Sequence, residues 1–277
     1  MLTPNQRLAE LQKSVLERDD ETDPGGRIYR HPDTGEVFHS VTRILSATED
    51  ESKKKALANW LERPGSGVDR ETAARRGTAA HAAAEYLLKT AKRMSSHAAN
   101  RKQAWKTNEQ GLMRPYSAIT SWAIGKALAG TPRAPFGVAG YSRGLTNWIT
   151  ENVGAIYGCE FGSYHPGGWA GTCDALIGLK ENPGALNICD WKTSASRNPE
   201  RSRETYSHQC GAYSLGLTSL TGLRADGAII VLARRSGAPI VWKLDRDELT
   251  AAEDAFKRRA VEYFAALFES HSESLAA

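Results

Sequence analysis

After residue 155 the apolar positions come in short runs, 156–164, 169–179 and 185–191, separated by Pro/Gly turn text. Runs of this length bounded by turns predict strands. A helix over about 200–217 follows, then strands near 226–233 and 239–244, and an amphipathic helix from 246 to about 270. Upstream, the pattern is helical. Residues 51–62 form a predicted helix carrying Trp60 and broken by Pro64-Gly65-Ser66-Gly67, and alanine-rich text predicts another from Asp69 to about Thr90, despite Gly77. Residues 91–155 read as mostly helical, interrupted by Gly130-Thr131-Pro132 and Pro135. Closer to the N-terminus, 27–30 and 36–39 flank Pro32-Asp33-Thr34-Gly35 as a hairpin, and Ser40 caps a short helix over 41–45. A block of strands, a helix, two more strands and a closing helix predict an α/β fold, one mixed sheet flanked by helices. The expected divisions are a flexible polar lead-in at 1–26 with one short helix, a mostly helical region at 27–155 and a core at 156–277. Together they make one integrated domain, with no internal repeat.

Composition narrows this picture only slightly. The 277 residues are 40% hydrophobic and 25% charged, which is ordinary for a globular chain. A net charge of +4 is too mild to name a nucleic-acid partner, so that case must come from local chemistry. No apolar run approaches the about 18 residues of a membrane span, and Met-Leu-Thr-Pro-Asn-Gln-Arg lacks a signal-peptide apolar region. Cys159, Cys173, Cys189 and Cys210 lack CxxC spacing, and three of them stand in apolar text as small buried hydrophobes. The expected compartment is a reducing cytoplasm.

The candidate chemistry lies in Gly171-Thr172-Cys173-Asp174 and Asp190-Trp191-Lys192. Lys180-Glu181-Asn182-Pro183-Gly184 is turn text between them, and a hairpin centred on residue 182 sets Asp174 opposite Asp190. Opposite residues share a sheet face, as do Asp190 and Lys192, two apart on one strand. Two carboxylates that close repel, and a divalent cation removes the conflict. Magnesium suits one or two carboxylates plus phosphate oxygens, and Lys192 would position water or stabilise charge on phosphate. The alternative is a surface Asp–Lys arrangement, yet both aspartates interrupt apolar runs, where lone charges are expensive.

Other pairs are less specific. His81 and Glu85 lie one turn apart on a helix face, so His81 is a candidate nitrogen ligand or simply a packed or solvated histidine. Gln209 and Tyr213 are also four apart, a spacing that ordinary helix contacts explain equally well. Residues 89–106 hold Lys89, Lys92, Arg93, Arg101, Lys102 and Lys106 with Trp105 and no acid. This stretch is either a DNA path beside the site, with Arg101, Lys102 and Trp105 binding substrate, or a solvated helix face.

On these residues the chain resembles the PD-(D/E)XK nuclease superfamily, in its RecB-like branch. That branch has a GxxxH helix, a GxxD strand, a D-x-K strand and a QxxxY helix, here Gly77–His81, Gly171–Asp174, Asp190–Lys192 and Gln209–Tyr213 in order. Ile188-Cys189-Asp190-Trp191-Lys192-Thr193-Ser194 is similar to mitochondrial genome maintenance exonucleases and phage relatives, as is Ser40-Val41-Thr42-Arg43-Ile44-Leu45. The resemblance spans roughly 27–270, with no matched motif in 92–155. It implies a restriction-endonuclease-like core with a helical N-terminal elaboration. It also implies metal ligands among His81, Asp174 and Asp190, with Trp191 counted at the metal site. Lys192 is then catalytic, Glu160 matches a glutamate common before the first core strand, and Gln209 and Tyr213 bind substrate. Some relatives hold an iron–sulfur cluster on one early and three late cysteines. No cysteine follows Cys210, so no cluster is expected.

The resulting expectation is a magnesium-dependent DNA exonuclease of replication, recombination or repair, with manganese substituting. Its partner is DNA, single-stranded or with a free end, and no membrane. Alanine- and arginine-rich text suits a phage or a bacterium of high-GC genome, with the host cytoplasm as location if phage-encoded. The competing readings are a structure-specific endonuclease with the same site and an inactive DNA-binding module, against which the intact Asp/Asp/Lys set argues.

Overall fold

The computed structural model describes residues 2–13, 16–20, 26–135, 137–196 and 198–276, with backbone alone at 12–13 and 271–276. In chain order its elements are α1 (Pro4–Lys13), β1 (Glu17–Asp19), β2 (Ile28–Arg30), β3 (Val37–Ser40), α2 (Val41–Ala47), α3 (Glu51–Leu61) and α4 (Ser66–Lys102). Then come β4 (Trp105–Thr107), β5 (Met113–Pro115), α5 (Ser117–Ala129), α6 (Ala139–Asn152), β6 (Val153–His165) and β7 (Trp169–Leu179). The chain closes with β8 (Asn187–Thr193), α7 (Arg203–Thr221), β9 (Gly227–Ala233), β10 (Ile240–Leu244) and α8 (Arg246–Ala276). No helix among the described residues is long and apolar enough to cross a membrane.

The architecture is the expected mixed α/β sheet flanked by helices. Strands run β1-β2-β3-β7-β8-β9-β10, with β6 also paired to β7. Because β6 accompanies β7 along its whole length, β3 and β8 must share the other edge of β7. β3 holds Trp169 and Ala170 in parallel register, while β8 holds 175–177 in antiparallel register. Between these two partners, at 171–174, that edge of β7 has no strand beside it. The fold opens here.

Two apolar layers cover the sheet. One joins it to α1, α2, α7 and α8 through residues such as Leu8, Ile44, Leu176, Leu217 and Phe256. The other joins it to α4, α5 and α6 through Leu87, Ile124, Leu145, Ile177 and Trp191. All four cysteines are free and buried. Ser40 caps α2 as expected, its side chain accepting from the Arg43 N–H at 3.0 Å.

Three elements differ from the sequence reading. α4 runs to Lys102 rather than to about 90, because Leu87, Leu88, Ala91 and Ala99 keep a continuous buried stripe, and left-handed Gln103 ends it. Within the stretch expected to be mostly helical, β4 and β5 form a hairpin. Its turn is held by the Asn108 side chain, which accepts from Gln110 N and Leu112 N, with Gly111 at positive φ. In the expected lead-in, α1 buries Leu8 and Leu11 against the core, and β1 pairs with β2. Residues 1, 14, 15 and 21–25 of that lead-in lie outside the described residues.

Candidate active site

The site is a row across three strands. In the β6–β7 register Glu160 falls opposite Asp174, between the pairs Cys159–Ala175 and Phe161–Cys173. In the β7–β8 register Asp190 follows the pair Ala175–Cys189 on the same line. The last hydrogen-bonded pair is Ala175–Cys189, and one residue further the ladder gives way. There the Trp191 N–H donates at 2.6 Å to the Asp174 carboxylate, so a side chain takes the place of a strand carbonyl. Asp174 therefore lies in the gap between strands rather than standing on the face that simple alternation would assign.

The neighbouring apolar residues mark the same irregularity. Cys159 and Ala175 pack in the layer under α4, whereas Phe161 and Cys173 pack in the opposite layer. Residues two apart on a regular strand share a face, so both strands switch faces at Glu160 and Asp174. Glu160 makes its switch at φ 48°, in the left-handed region that a non-glycine residue enters at a cost of about 1–3 kcal/mol. Strain of this kind persists where surrounding contacts over-determine the backbone, and here it aims a carboxylate.

Into this opening α4 brings His81, whose Nδ1 lies 3.1 Å from Asp174 Oδ1. Candidate ligand atoms of His81, Glu160 and Asp174 all fall within 4.8 Å of one another. Lys192 Nζ donates to Asp190 Oδ1 at 2.7 Å and sits 5.1 Å over the Tyr206 ring. His81, Glu160, Asp174, Asp190 and Lys192 line one cavity of about 300 Å³ that also reaches Gly171, Gln209 and Tyr213. Gln209 Nε2 donates to the Tyr213 hydroxyl at 2.7 Å. A Cβ on Gly171 would stand 2.7 Å from Tyr213 Cε1, so the motif glycine is what lets that ring lie against β7.

Burial and proximity displace the protons. Burial disfavours a charged His81, but the Asp174 carboxylate overrides it and raises the pKa to about 9. Burial, then Asp174, pushes Glu160 up to about 8. Burial also raises Asp190, to about 6, with Lys192 holding it back and Asp174 adding to the rise. Lys192 is partly buried too, yet Asp190 keeps its ammonium charged above the usual lysine range.

These three acids and bases share one sign. His81 holds its proton to about pH 9 in the fold against an ordinary 6.5, so its stabilising contribution is complete below about 6.5 and lost above about 9. Glu160 and Asp190 hold theirs to about 8 and about 6, against ordinary values of 4.5 and 3.8. Through these three groups the metal-free protein loses stability as pH rises from about 4 to 9, and their large shifts outweigh the opposite contribution of His165 and His208, lowered by burial, and of Lys92, lowered by burial to about 8. Melts in EDTA at pH 5.5, 7 and 9 check this, with Tm expected to fall in that order. A cation taken up by the cluster displaces the His81 and Glu160 protons, so calorimetry at pH 7 in buffers of different ionisation heat should count about two protons released.

The donor set fits a divalent cation. One imidazole and two carboxylates converge, and a small closure of the 4.8 Å spread meets bonds of about 2.0–2.1 Å. Asp190 Oδ2 is buried and already faces the Lys192 ammonium at 2.6 Å, so the cation would be held chiefly by His81, Glu160 and Asp174.

The other expected residues are dispersed. Trp191 is present only through its backbone, because its side chain packs against Trp148 in the layer under α4. Glu85 pairs with Lys89 at 2.6 Å on an exposed face. Arg101, Lys102 and Trp105 are not brought to the site, because the extended α4 carries Arg101 about 30 Å along its axis from His81. Arg101 and Lys102 line another cavity with Met94 and Trp122, and Trp105 donates to Asn100. Lys89, Lys92 and Arg93, from the first half of that basic stretch, do line a cavity that reaches Glu160. The sequence reading missed Arg18 on β1, Arg27 just before β2, Tyr29 on β2 and Thr42 at the start of α2, which line the site from the N-terminal segment. Only the Ser40 cap text hinted that this segment belongs to the core.

A family model described as the PD-(D/E)XK nuclease superfamily matches residues 11–276. No curated protein matches the chain.

Proposed function

The chain belongs to the PD-(D/E)XK nuclease superfamily, and on that premise we propose that it is a magnesium-dependent deoxyribonuclease working as an exonuclease on DNA. Within the superfamily we infer the RecB-like branch, from the order Gly77–His81, Gly171–Asp174, Asp190–Lys192 and Gln209–Tyr213. The observation that carries the reading is the row Glu160–Asp174–Asp190 with His81 and Lys192 in one cavity. End dependence is inferred from the resemblance to exonucleases of similar size, and it points to replication, recombination or repair in the cytoplasm as the setting.

In this reading His81, Glu160 and Asp174 hold the cation, with Asp190 completing the set. The ion, when bound, supplies Lewis acidity at the scissile phosphate. Lys192 is the hydrogen-bond donor kept charged beside the place where negative charge develops, and Asp190 and Tyr206 hold its ammonium there. Tyr213 accepts from Gln209, which leaves its own O–H to donate toward substrate. Hydrolysis adds water at phosphorus and breaks one ester P–O bond, so no redox partner is required.

Cleavage of linear single-stranded DNA should require magnesium or manganese and stop in excess EDTA, with calcium supporting binding and little turnover. A covalently closed single-stranded circle should survive while its linear form is consumed. Equal cutting of the circle selects the endonuclease reading. Metal-supported binding without cleavage of either form selects a DNA-binding module.

A further inference from the structure

The N-terminal strands place two guanidiniums at the mouth of the acidic cavity. Arg18 and Arg27 both line it, together with His81, Glu160, Asp174, Asp190 and Lys192. One carboxylate organises both, as Asp20 accepts Arg18 Nε at 2.8 Å on Oδ2 and Arg27 Nε at 2.5 Å on Oδ1. Arg18, then Arg27, holds that carboxyl below its ordinary range, so it stays an acceptor.

The fork is tied to the catalytic row by backbone. The Ser40 N–H donates to the Arg27 carbonyl at 3.2 Å, and Ser40 pairs with Ala170, four residues before Asp174 on β7. The pair β1–β2 adds the register Arg18–Tyr29, and Tyr29 is buried and also lines the cavity. Salt bridges as exposed as these, with Arg18 and Asp20 about half accessible, contribute little to stability, so the fold alone does not account for the arrangement. Chemically it is well suited to something else. Each guanidinium commits Nε to Asp20, and Arg27 also meets the Tyr29 hydroxyl, so Arg18 offers both terminal amino groups and Arg27 its remaining donors to phosphate oxygens.

We propose that Arg18 and Arg27, held apart at a set angle by Asp20, bind a backbone phosphate adjoining the scissile one and so position the nucleic-acid strand over the acidic row. The site takes a phosphodiester, and the inference rests on the nuclease reading given above. Arg18 and Arg27 set positive charge among the residues lining a cavity that is otherwise rich in carboxylates, while Glu17 and Asp19 flank Arg18 on β1. Positive charge in such a cavity is what is needed to bring a polyanion to carboxylates. Asp20 is a positioning residue in this scheme, acting only through the two guanidiniums.

Opposite signs separate this from simple charge attraction. Asp20→Asn makes the chain more positive, so a surface that works by net charge alone would bind DNA more tightly. A fork whose geometry matters binds it more weakly, and Asp20→Glu restores most of the loss. The test uses the full chain, a labelled single-stranded 20-mer, binding in calcium across a salt series, and turnover in magnesium. Arg18→Gln and Arg27→Gln should each weaken binding about tenfold. Each should also reduce the salt slope by about 0.7, raising KM with little change in kcat. Arg→Lys at either position, keeping charge but losing the paired donors, should fall between wild type and Gln, and it serves where a Gln variant has a lowered Tm. Wild-type affinity and salt slope in the folded double Gln variant, or tighter binding by Asp20→Asn, overturns the assignment. If wild type binds the 20-mer but cuts no DNA with any metal, the nuclease reading fails while the fork is still read from the binding arm.

Discussion

Lys192→Met should lower the cleavage rate by about 10²–10³-fold, the loss expected when one preorganised donor to developing charge is removed. The side chain is partly buried, stays protonated because Asp190 is beside it, and lines the cavity that holds the acidic row. The difficulty with the single variant is structural. It leaves the Asp190 carboxylate buried without its partner, and breaking a buried pair costs about 3–5 kcal/mol when the remaining charge cannot adjust. Asp190 can adjust, since burial already raises its pKa to about 6 and loss of Lys192 raises it further. Asp190→Asn/Lys192→Met removes both charges and should regain most of the lost Tm while remaining inactive. Recovery of cleavage in that double variant, or near-wild-type rates in folded Lys192→Met, would exclude Lys192 from the chemistry. The same pair of measurements on Asp190→Ala should show loss of activity with a modest change in Tm.

Gly211→Ala is the second large effect, and it acts through helix contacts. A Cβ at Gly211 would stand 2.6 Å from the Ala252 carbonyl carbon and 2.7 Å from Glu253 N, both backbone atoms of α8. Neither can rotate aside, so α7 and α8 must separate. Overpacking of this kind costs about 1–3 kcal/mol, a Tm drop of roughly 2–10 °C for a chain of this size. Activity should fall as well, because α7 carries Gln209 and Tyr213, and the Tyr213 ring is seated against Gly171 with no room to spare. Gly77 is the internal control. Its added Cβ meets nothing nearer than Thr193 Oγ1 at 4.0 Å, so Gly77→Ala in mid-helix should gain about 0.5–1 kcal/mol. If both alanines destabilise equally, the steric account of Gly211 is wrong.

Much of the acidic row was open to reading along the chain. Turn text centred on residue 182 sets the β7–β8 register, and the observed pairs 175–189, 176–188 and 177–187 keep that centre. The reason is local, since a short turn fixes how two strands meet and apolar alternation leaves one register that buries both. Yet the same arithmetic misassigned the Asp174 side chain. Alternation places opposite residues on one face, whereas Asp174 turns into the sheet plane to take the Trp191 N–H. Nothing in the local text of β7 announces that a neighbouring strand will leave it.

The elements themselves were legible where short-range physics governs them: the Ser40 cap, a break at Pro64-Gly65 (with Ser66 and Gly67 already in α4), the strand runs, and the four motif segments in their order. What only the tertiary structure decided is where those segments meet. His81 approaches Asp174 across 93 positions because α4 packs alanines and leucines on the sheet, and that distance is set by side-chain volumes. Glu160 reaches the cluster through a left-handed backbone that no residue preference favours, and Arg18 and Arg27 arrive because β3 shares the edge of β7 with β8. Conversely, Arg101, Lys102 and Trp105 look like partners of the site in one dimension, yet Arg101 and Lys102 lie about 30 Å along α4 from His81 and Trp105 stands beyond its end on β4. Residue types and turns act over a few positions, so the sequence determined the inventory of chemistry. Burial of two apolar layers acts over the whole chain, and it determined which of that inventory converges.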